Sequence, residues 1–264
     1  MGSSGQDKMP RTFRALRGWR RLMPARTRRP LPWVVVAALA RRLLRGPCPP
    51  MCLCWLIMVD CYLRPGESID LTPVQAIPGS AGTAMDRCAI HLDPDYRKHY
   101  SKTGELDESL LVSRRWLGRA LEVWAERRKG LEQLWPFTLV DLRAEFLKHA
   151  KVLGLLPLRP VLYMGRHSGA SLDRLENRYN LSEVQKRGRW RSSSSVARYE
   201  KHALVQEVFR NLGRRRASIE AEARSLIGEV AERFDGTKPT RVSVGGWTSS
   251  TSRSLPAPSP LLAA

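Results

Sequence analysis

Apolar positions along most of this chain recur at helical intervals, and only one stretch alternates as strands do. After Pro32, WVVVAALARRLL predicts a helix. Pro49 and Pro50 then introduce MCLCWLIMVDCYL, which is apolar on nearly every side and therefore predicts a buried helix. It is expected to stop at Arg64-Pro65-Gly66-Glu67, because Pro65 lacks the N–H that continues a helix and Gly66 suits a turn. Between Asp70 and Leu111 the pattern shortens. IDLTPV, AIHLDPD and KTGELDESLLV, separated by turn residues, predict a small antiparallel sheet with Lys102 near a hairpin tip.

Helical spacing then returns, with Trp116, Ala120 and Trp124 four residues apart. Thr138 precedes the stripe Leu139, Leu142, Phe146 and Ala150, with Asp141 placed to complete a cap. Ser168–Tyr179 is expected to be helical, and Ser182 with Gln185 suggests a capping box that opens LSEVQKRGRW. His202–Leu212 predicts a short helix. Ala217–Phe234 predicts one amphipathic helix, with Ile219, Ala223, Ile227, Val230 and Phe234 on one face. From Gly236 onward Ser, Thr, Gly and Pro dominate and no period survives, so a disordered tail is expected. The fold class is mainly α (α+β): helical, with one small antiparallel sheet.

The charge pattern narrows the partners. The chain has 264 residues, 42% of them apolar, which is enough for a real core and excludes wholesale disorder. It carries 45 basic against 25 acidic residues, a formal charge of +20. That excess favours a polyanion, nucleic acid first and an anionic membrane surface second. Lys8 to Val59 holds twelve lysines and arginines and no acid. Residues 1–29 are thus expected to form a basic arm, disordered or partly helical; Arg-rich, acid-free N-termini also occur as organelle transit peptides. The longest apolar run, Met51–Val59, is shorter than the ~20 residues that cross a bilayer, so no membrane partner is expected. Five cysteines, odd in number and without a second ligand pair for Cys52 and Cys54, suggest buried thiols rather than a zinc site. No metal or other cofactor is expected.

Several residues could carry chemistry, and each also has a plain structural explanation. Arg64 would suit the C-terminal end of a helix, where the backbone dipole favours a cation. Lys102 would suit a surface hairpin. Arg166 and His167 stand just before the helix expected from Ser168, where backbone N–H groups and a guanidinium would together hold an anion. Trp190 would suit the core. The stretch RGRWRSSSSVARYEK gathers Arg187, Arg189, Arg191, Arg198 and Lys201 around Tyr199, with one acid. Those five cations would suit a phosphate backbone.

In order along the chain, these residues resemble the catalytic domain of the tyrosine recombinases, the phage-integrase family. YLRPGE matches the family's first arginine with its Gly-Glu through Arg64, Gly66 and Glu67. SKTG matches the β-hairpin lysine through Lys102. YMGRHSGA matches the His-x-x-Arg-His-Ser box through Arg166, His167 and Ser168. Trp190 follows a glycine at the end of a short helix, as the family's His or Trp does, and Arg198-Tyr199 stands nine residues beyond it. The resemblance spans about Pro30 to Leu212. It departs from the family at Tyr163, which replaces the first histidine of the box and is a poorer proton acceptor. It departs again at the N-terminus, where only 29 residues precede Pro30 in place of a helical core-binding domain.

The resemblance implies a catalytic domain over 30–212, an amphipathic C-terminal helix over 213–235 and a tail over 236–264. It implies DNA strand breakage and rejoining through a 3′-phosphotyrosyl intermediate on Tyr199, without metal or ATP. Arg64 and Arg166 would clamp the phosphate, Lys102 would protonate the leaving 5′-oxygen, and Trp190 would close the site. The phosphate backbone suited to the five cations around Tyr199 would be that of DNA. Tyr163 would orient the phosphate or help deprotonate the nucleophile. Double-stranded DNA, a tetramer on DNA and a separate DNA-clamping partner are the implied partners. The implied location is intracellular and DNA-associated, nuclear or bacterial-cytoplasmic, with an organelle left open. Two alternatives stand beside this: a DNA-binding derivative of the same fold without the chemistry, and an unrelated basic helical RNA-binding protein.

Overall fold

The computed structural model describes residues 10–23, 28–92, 108–192, 196 and 201–234. Helix α1 (Pro10–Leu22) forms within the basic arm. Helices α2 (Trp33–Leu44) and α3 (Pro50–Asp60) follow, the first with the bounds its apolar run predicts. Every residue of α3 is buried, as a helix apolar on all sides requires. It forms the axis of the molecule, packed by α2, by α4 (Pro65–Ile69), by α5 (Arg115–Arg127) and by α7 (Met164–Leu175).

Helix α3 ends at Asp60, four residues before Arg64, and Tyr62 turns the chain with φ 50° in the left-handed region. Pro65 does not terminate a helix. It opens α4 at the first helical position, where its missing N–H is no loss.

The sheet is a three-stranded antiparallel meander, β1 (Ala76–Ile77), β2 (Ala89–Leu92) and β3 (Glu108–Leu111), with Ala76 opposite Ile90 and Ile90 opposite Leu110. The first expected strand, IDLTPV, is instead a loop with one 3-10 turn at Pro73–Gln75, since Thr72 and Gln75 cap each other there. Lys102 and the hairpin tip lie outside the described residues.

Helix α6 (Leu139–Val152) begins with the expected cap: the Asp141 N–H donates to Thr138 Oγ1 at 3.3 Å, and the Thr138 N–H donates to Asp141 Oδ2 at 2.9 Å. Helix α7 starts four residues earlier than expected and ends at Leu175, which puts Arg166, His167 and Ser168 inside its first turns. Helix α8 (Leu181–Gly188) is capped by Asn180 with Glu183, not by Ser182 with Gln185. Asn180 Oδ1 also accepts from the Ser182 hydroxyl, so Ser182 supports the cap that Asn180 makes.

After α9 (His202–Arg210), the single amphipathic helix expected over 217–234 is two, α10 (Arg216–Arg224) and α11 (Leu226–Phe234), parted at Ser225. Both pack on α2 in the same chain, α11 also on α5, and Ile219, Leu226, Val230 and Phe234 join the main core. The C-terminal segment is thus part of the same packed body as α2 and α3. Glu222 and Glu229 tie it to Arg42, Arg41 and Arg45 of α2.

All five cysteines are buried and unpaired. Burial pushes the thiols up, Cys48 to about 11 and Cys54, Cys61 and Cys88 to about 12, so they stay protonated. Among the described residues, no helix is long and apolar enough to cross a membrane.

Candidate functional site

Three chain segments distant in sequence meet where α3 ends. Left-handed Tyr62 swings the backbone so that Arg64 becomes the N-cap of α4. The Arg64 N–H donates to Glu67 Oε2 at 2.7 Å and its guanidinium to Glu67 Oε1 at 2.8 Å. Arg64 therefore caps the start of a helix, whereas sequence pattern suggested the end of one. From the other side Arg189, left-handed at the end of α8 (φ 56°), donates to Glu67 Oε2 at 2.5 Å. One carboxylate thus spans two guanidinium groups. Burial pushes the Glu67 carboxyl up, but Arg189, the Arg64 N–H and the Arg64 and Arg166 charges outweigh it. The group titrates below its ordinary range.

Arg166 stands in the first turn of α7 and is 1% exposed. Its Nη1 donates to the Tyr62 carbonyl at 2.5 Å and its Nη2 to the Gly188 carbonyl. The guanidinium carbon lies 4.7 Å from the Trp190 ring centroid, and Nε has no partner among the described residues. Burial, then the Arg189 charge, lowers its proton affinity, but arginine starts so high that it stays a cation. Trp190 stacks on Tyr62 at 6.1 Å. Gly188 makes room for that ring, since a Cβ there would come within 1.9 Å of it.

Tyr163 immediately precedes α7. Its ring lies 5.3 Å from the His167 ring, with the Arg28 guanidinium carbon 4.7 Å from its centroid. Burial first, then Lys201, Arg28 and Arg166, push His167 down to about 3, so it is a neutral imidazole across the physiological range. Lys201 also donates to the Arg28 carbonyl at 3.2 Å. Ser168 is structural: its hydroxyl donates to Met164 O at 2.7 Å and accepts from the Leu31 N–H at 2.8 Å, fastening the segment before α2 to α7.

Of the residues expected to act, Arg64, Arg166 and Trp190 come together, while Tyr163 packs against His167 and Arg28. Tyr199, Arg198 and Lys102 lie outside the described residues. The described residues that bracket Tyr199 both reach this region. Val196 is buried with Tyr62, Ala170 and Val184, beside Trp190, while Lys201 faces His167.

Two of the cations expected on a DNA-facing surface are interior. Arg187 donates to the Asp60 carbonyl at 2.8 Å, to the Leu111 carbonyl at 2.7 Å and to Asp60 Oδ2 at 3.3 Å, and it lies between Tyr62 and Tyr179. Arg189 is 7% exposed and held by Glu67. A guanidinium has several N–H donors in a plane, and backbone carbonyls from distant segments take them up here. Arg191, in contrast, is exposed.

Sequence reasoning missed Asp60, which anchors this frame. It is 1% exposed, accepts from Arg114 at 2.5 Å and from the Ser113 N–H at 2.6 Å, and faces Arg187. Its only signal is a lone acid in an apolar run.

The cluster concentrates positive charge around an Arg64 whose side chain is 26% exposed and a shielded Arg166, with Trp190 over the latter. Guanidinium groups so gathered suit an anion with several oxygens; here Glu67 takes that place on Arg64 and Arg189, and Arg166 is committed to the Tyr62 and Gly188 carbonyls. Among the described residues, no three His, Cys, Asp or Glu side chains gather to hold a metal. The chain matches no protein-family model, no curated protein and no solved structure.

Proposed function

We propose that this chain binds duplex DNA and breaks and rejoins a strand in the manner of the tyrosine recombinases. Tyr199 would be the nucleophile and Arg64 with Arg166 the phosphate clamp. The observation that carries the reading is the meeting of Arg64, Arg166 and Trp190 around one charged cluster. The burial of Val196 beside Trp190 and the approach of Lys201 to His167 give further support, since these residues flank Tyr199.

The chemistry asks for these residue types. Tyr199 gives up its phenolic proton to water as its Oη attacks the phosphorus, a P–O bond to tyrosine forms, and the bond to the 5′-oxygen breaks. Guanidinium groups stabilise the charge that builds on the non-bridging oxygens. Lys102 gives a proton to the departing 5′-oxygen. Tyr163, which packs on His167 beside Arg28, orients the phosphate or helps deprotonate Tyr199.

A DNA-binding protein of the same architecture without strand breakage is the second reading. It is favoured by Arg166 itself, which is buried with two donors committed to carbonyls. Incubation with a nicked duplex that traps the covalent intermediate separates the two. A covalent adduct with the wild type, lost in Tyr199→Phe while salt-sensitive duplex binding persists, is the expected result. An adduct that survives Tyr199→Phe removes the first reading. Salt-sensitive binding without any adduct leaves the second.

A further inference from the structure

Helix α1 divides its residues in a way the rest of the fold does not use. At 3.6 residues per turn, the positions of Arg14, Arg17 and Arg21 fall along one side, with Arg11 and Arg20 at its two edges. Ala15, Leu16, Trp19, Leu22 and Met23 fall along the other, with Phe13 outside that stripe beside Arg20 and Met23 continuing the helical hydrogen bonding to Trp19 at 2.8 Å. The apolar side is not packed away. Phe13 is 45% exposed, Leu16 44%, Trp19 64%, Leu22 80% and Met23 63%. Other exposed apolar residues, such as Val74, Met85, Val140 and Val152, are spread over several elements, whereas these five lie together on one short segment.

We propose that α1 is an interfacial helix that lies on an anionic lipid bilayer, its apolar side sunk to the headgroup boundary and its arginines facing the acidic headgroups. Charge complementarity selects this occupant: the helix has arginines and no acid. The apolar half selects it over a nucleic acid. A duplex takes up the arginines but offers no apolar phase for leucine, methionine and an exposed tryptophan, whereas the bilayer interface takes both halves at once. Trp19 on the apolar side is the residue type favoured at such an interface. The binding is to the surface and independent of the reading of Tyr199 and its cluster. It also returns to the membrane surface that overall charge ranked second to nucleic acid.

The test uses the full chain and sedimentation with phosphatidylcholine vesicles that contain or lack phosphatidylserine, with duplex DNA retention measured in parallel at the same salt. The wild type is expected to partition onto the phosphatidylserine vesicles at least about tenfold more strongly than onto phosphatidylcholine alone. Leu16→Glu with Trp19→Glu is expected to lower that partition about tenfold or more while DNA retention stays within about twofold. Arg11→Gln with Arg14→Gln is expected to remove most of the preference for the anionic vesicles. The proposal is overturned if the wild type ignores phosphatidylserine vesicles, or if the Leu16 and Trp19 changes leave vesicle binding intact. It is equally overturned if those changes weaken DNA retention as much as vesicle binding, since α1 is then a nucleic-acid arm.

Discussion

Arginines serve opposite purposes in two regions of this molecule. Where α3, α4, α7 and α8 meet, Arg166, Arg187 and Arg189 are internal, their donors taken by carbonyls of Tyr62, Gly188, Asp60 and Leu111 or by the carboxylates of Glu67 and Asp60. In α1 the arginines accompany an exposed apolar face and no acid. The α2 strap lies between: Arg41, Arg42 and Arg45 meet Glu222 and Glu229 at the rim of the packed C-terminal helices. The same side chain thus acts as internal scaffold, as surface clasp and as cationic face. A charge of +20 describes all three uses and distinguishes none of them. The value of each arginine depends on how far its partner is withdrawn from water, because desolvation raises the cost of leaving an ion unpaired.

That contrast can be broken most directly at Asp60. Asp60→Asn removes the buried charge that faces Arg114 and Arg187 and is expected to cost about 3–5 kcal/mol in urea unfolding. A loss below about 1 kcal/mol would mean the interior arginines are not held as described.

Glu67→Gln is the next largest, with an expected cost of about 1–3 kcal/mol, since Arg64 and Arg189 lose their shared carboxylate. Its pH signature is specific. The folded carboxyl titrates below its ordinary value of 4.5, so its stabilisation is present above that value and is lost as pH falls through the folded pKa. The variant should therefore show a shallower acid loss of stability than the wild type.

His167 sharpens the same comparison without a charge of its own at neutral pH. It is pushed from 6.5 to about 3, so the unfolded chain binds the proton more readily than the folded one. Stability is expected to fall as pH drops below 6.5, by up to about 1.4 kcal/mol per pH unit, until about pH 3. His167→Gln should remove that component from a pH series of melting curves.

The strap should respond least among the paired arginines. Glu229→Gln is expected to cost about 1 kcal/mol or less, shrinking as salt is added, because its partners are partly exposed. Arg14→Gln, on α1, is expected to leave the folding midpoint within about 0.5 kcal/mol.

The elements that were legible in the sequence are those that local physics decides. Helix α2 begins after Pro32, α6 begins at its Thr138–Asp141 cap, and α3 is buried because no face of it is polar. What misled the reading was also local. Pro65 looked like a stop but opens α4, because the chain had already left α3 at Asp60 and turned at Tyr62. Asn180 took the cap that Ser182 suggested, and Ser225 divides a segment whose apolar positions run on through it. At the candidate site, Arg64, Arg166 and Trp190 could be singled out in the sequence, and the fold brings the three together. The carboxylates that organise them could not: Asp60 reads as one acid at the edge of an apolar run, and its partners lie in α8 and beside α5.

By itself the sequence determined where α2 and α6 start, which helix is buried, and that one end is cationic without acids. Those follow from periodicity, caps and composition, all set by neighbours within a turn or two. Only the tertiary structure decided which arginines are inside. Arg187 and Arg189 belong to one basic stretch with Arg191, yet the first two turn inward onto Asp60 and Glu67 while the third is exposed. Whether an arginine faces a carbonyl or water depends on the strand and helix ends that meet it, and those come from segments that only the folded chain brings together.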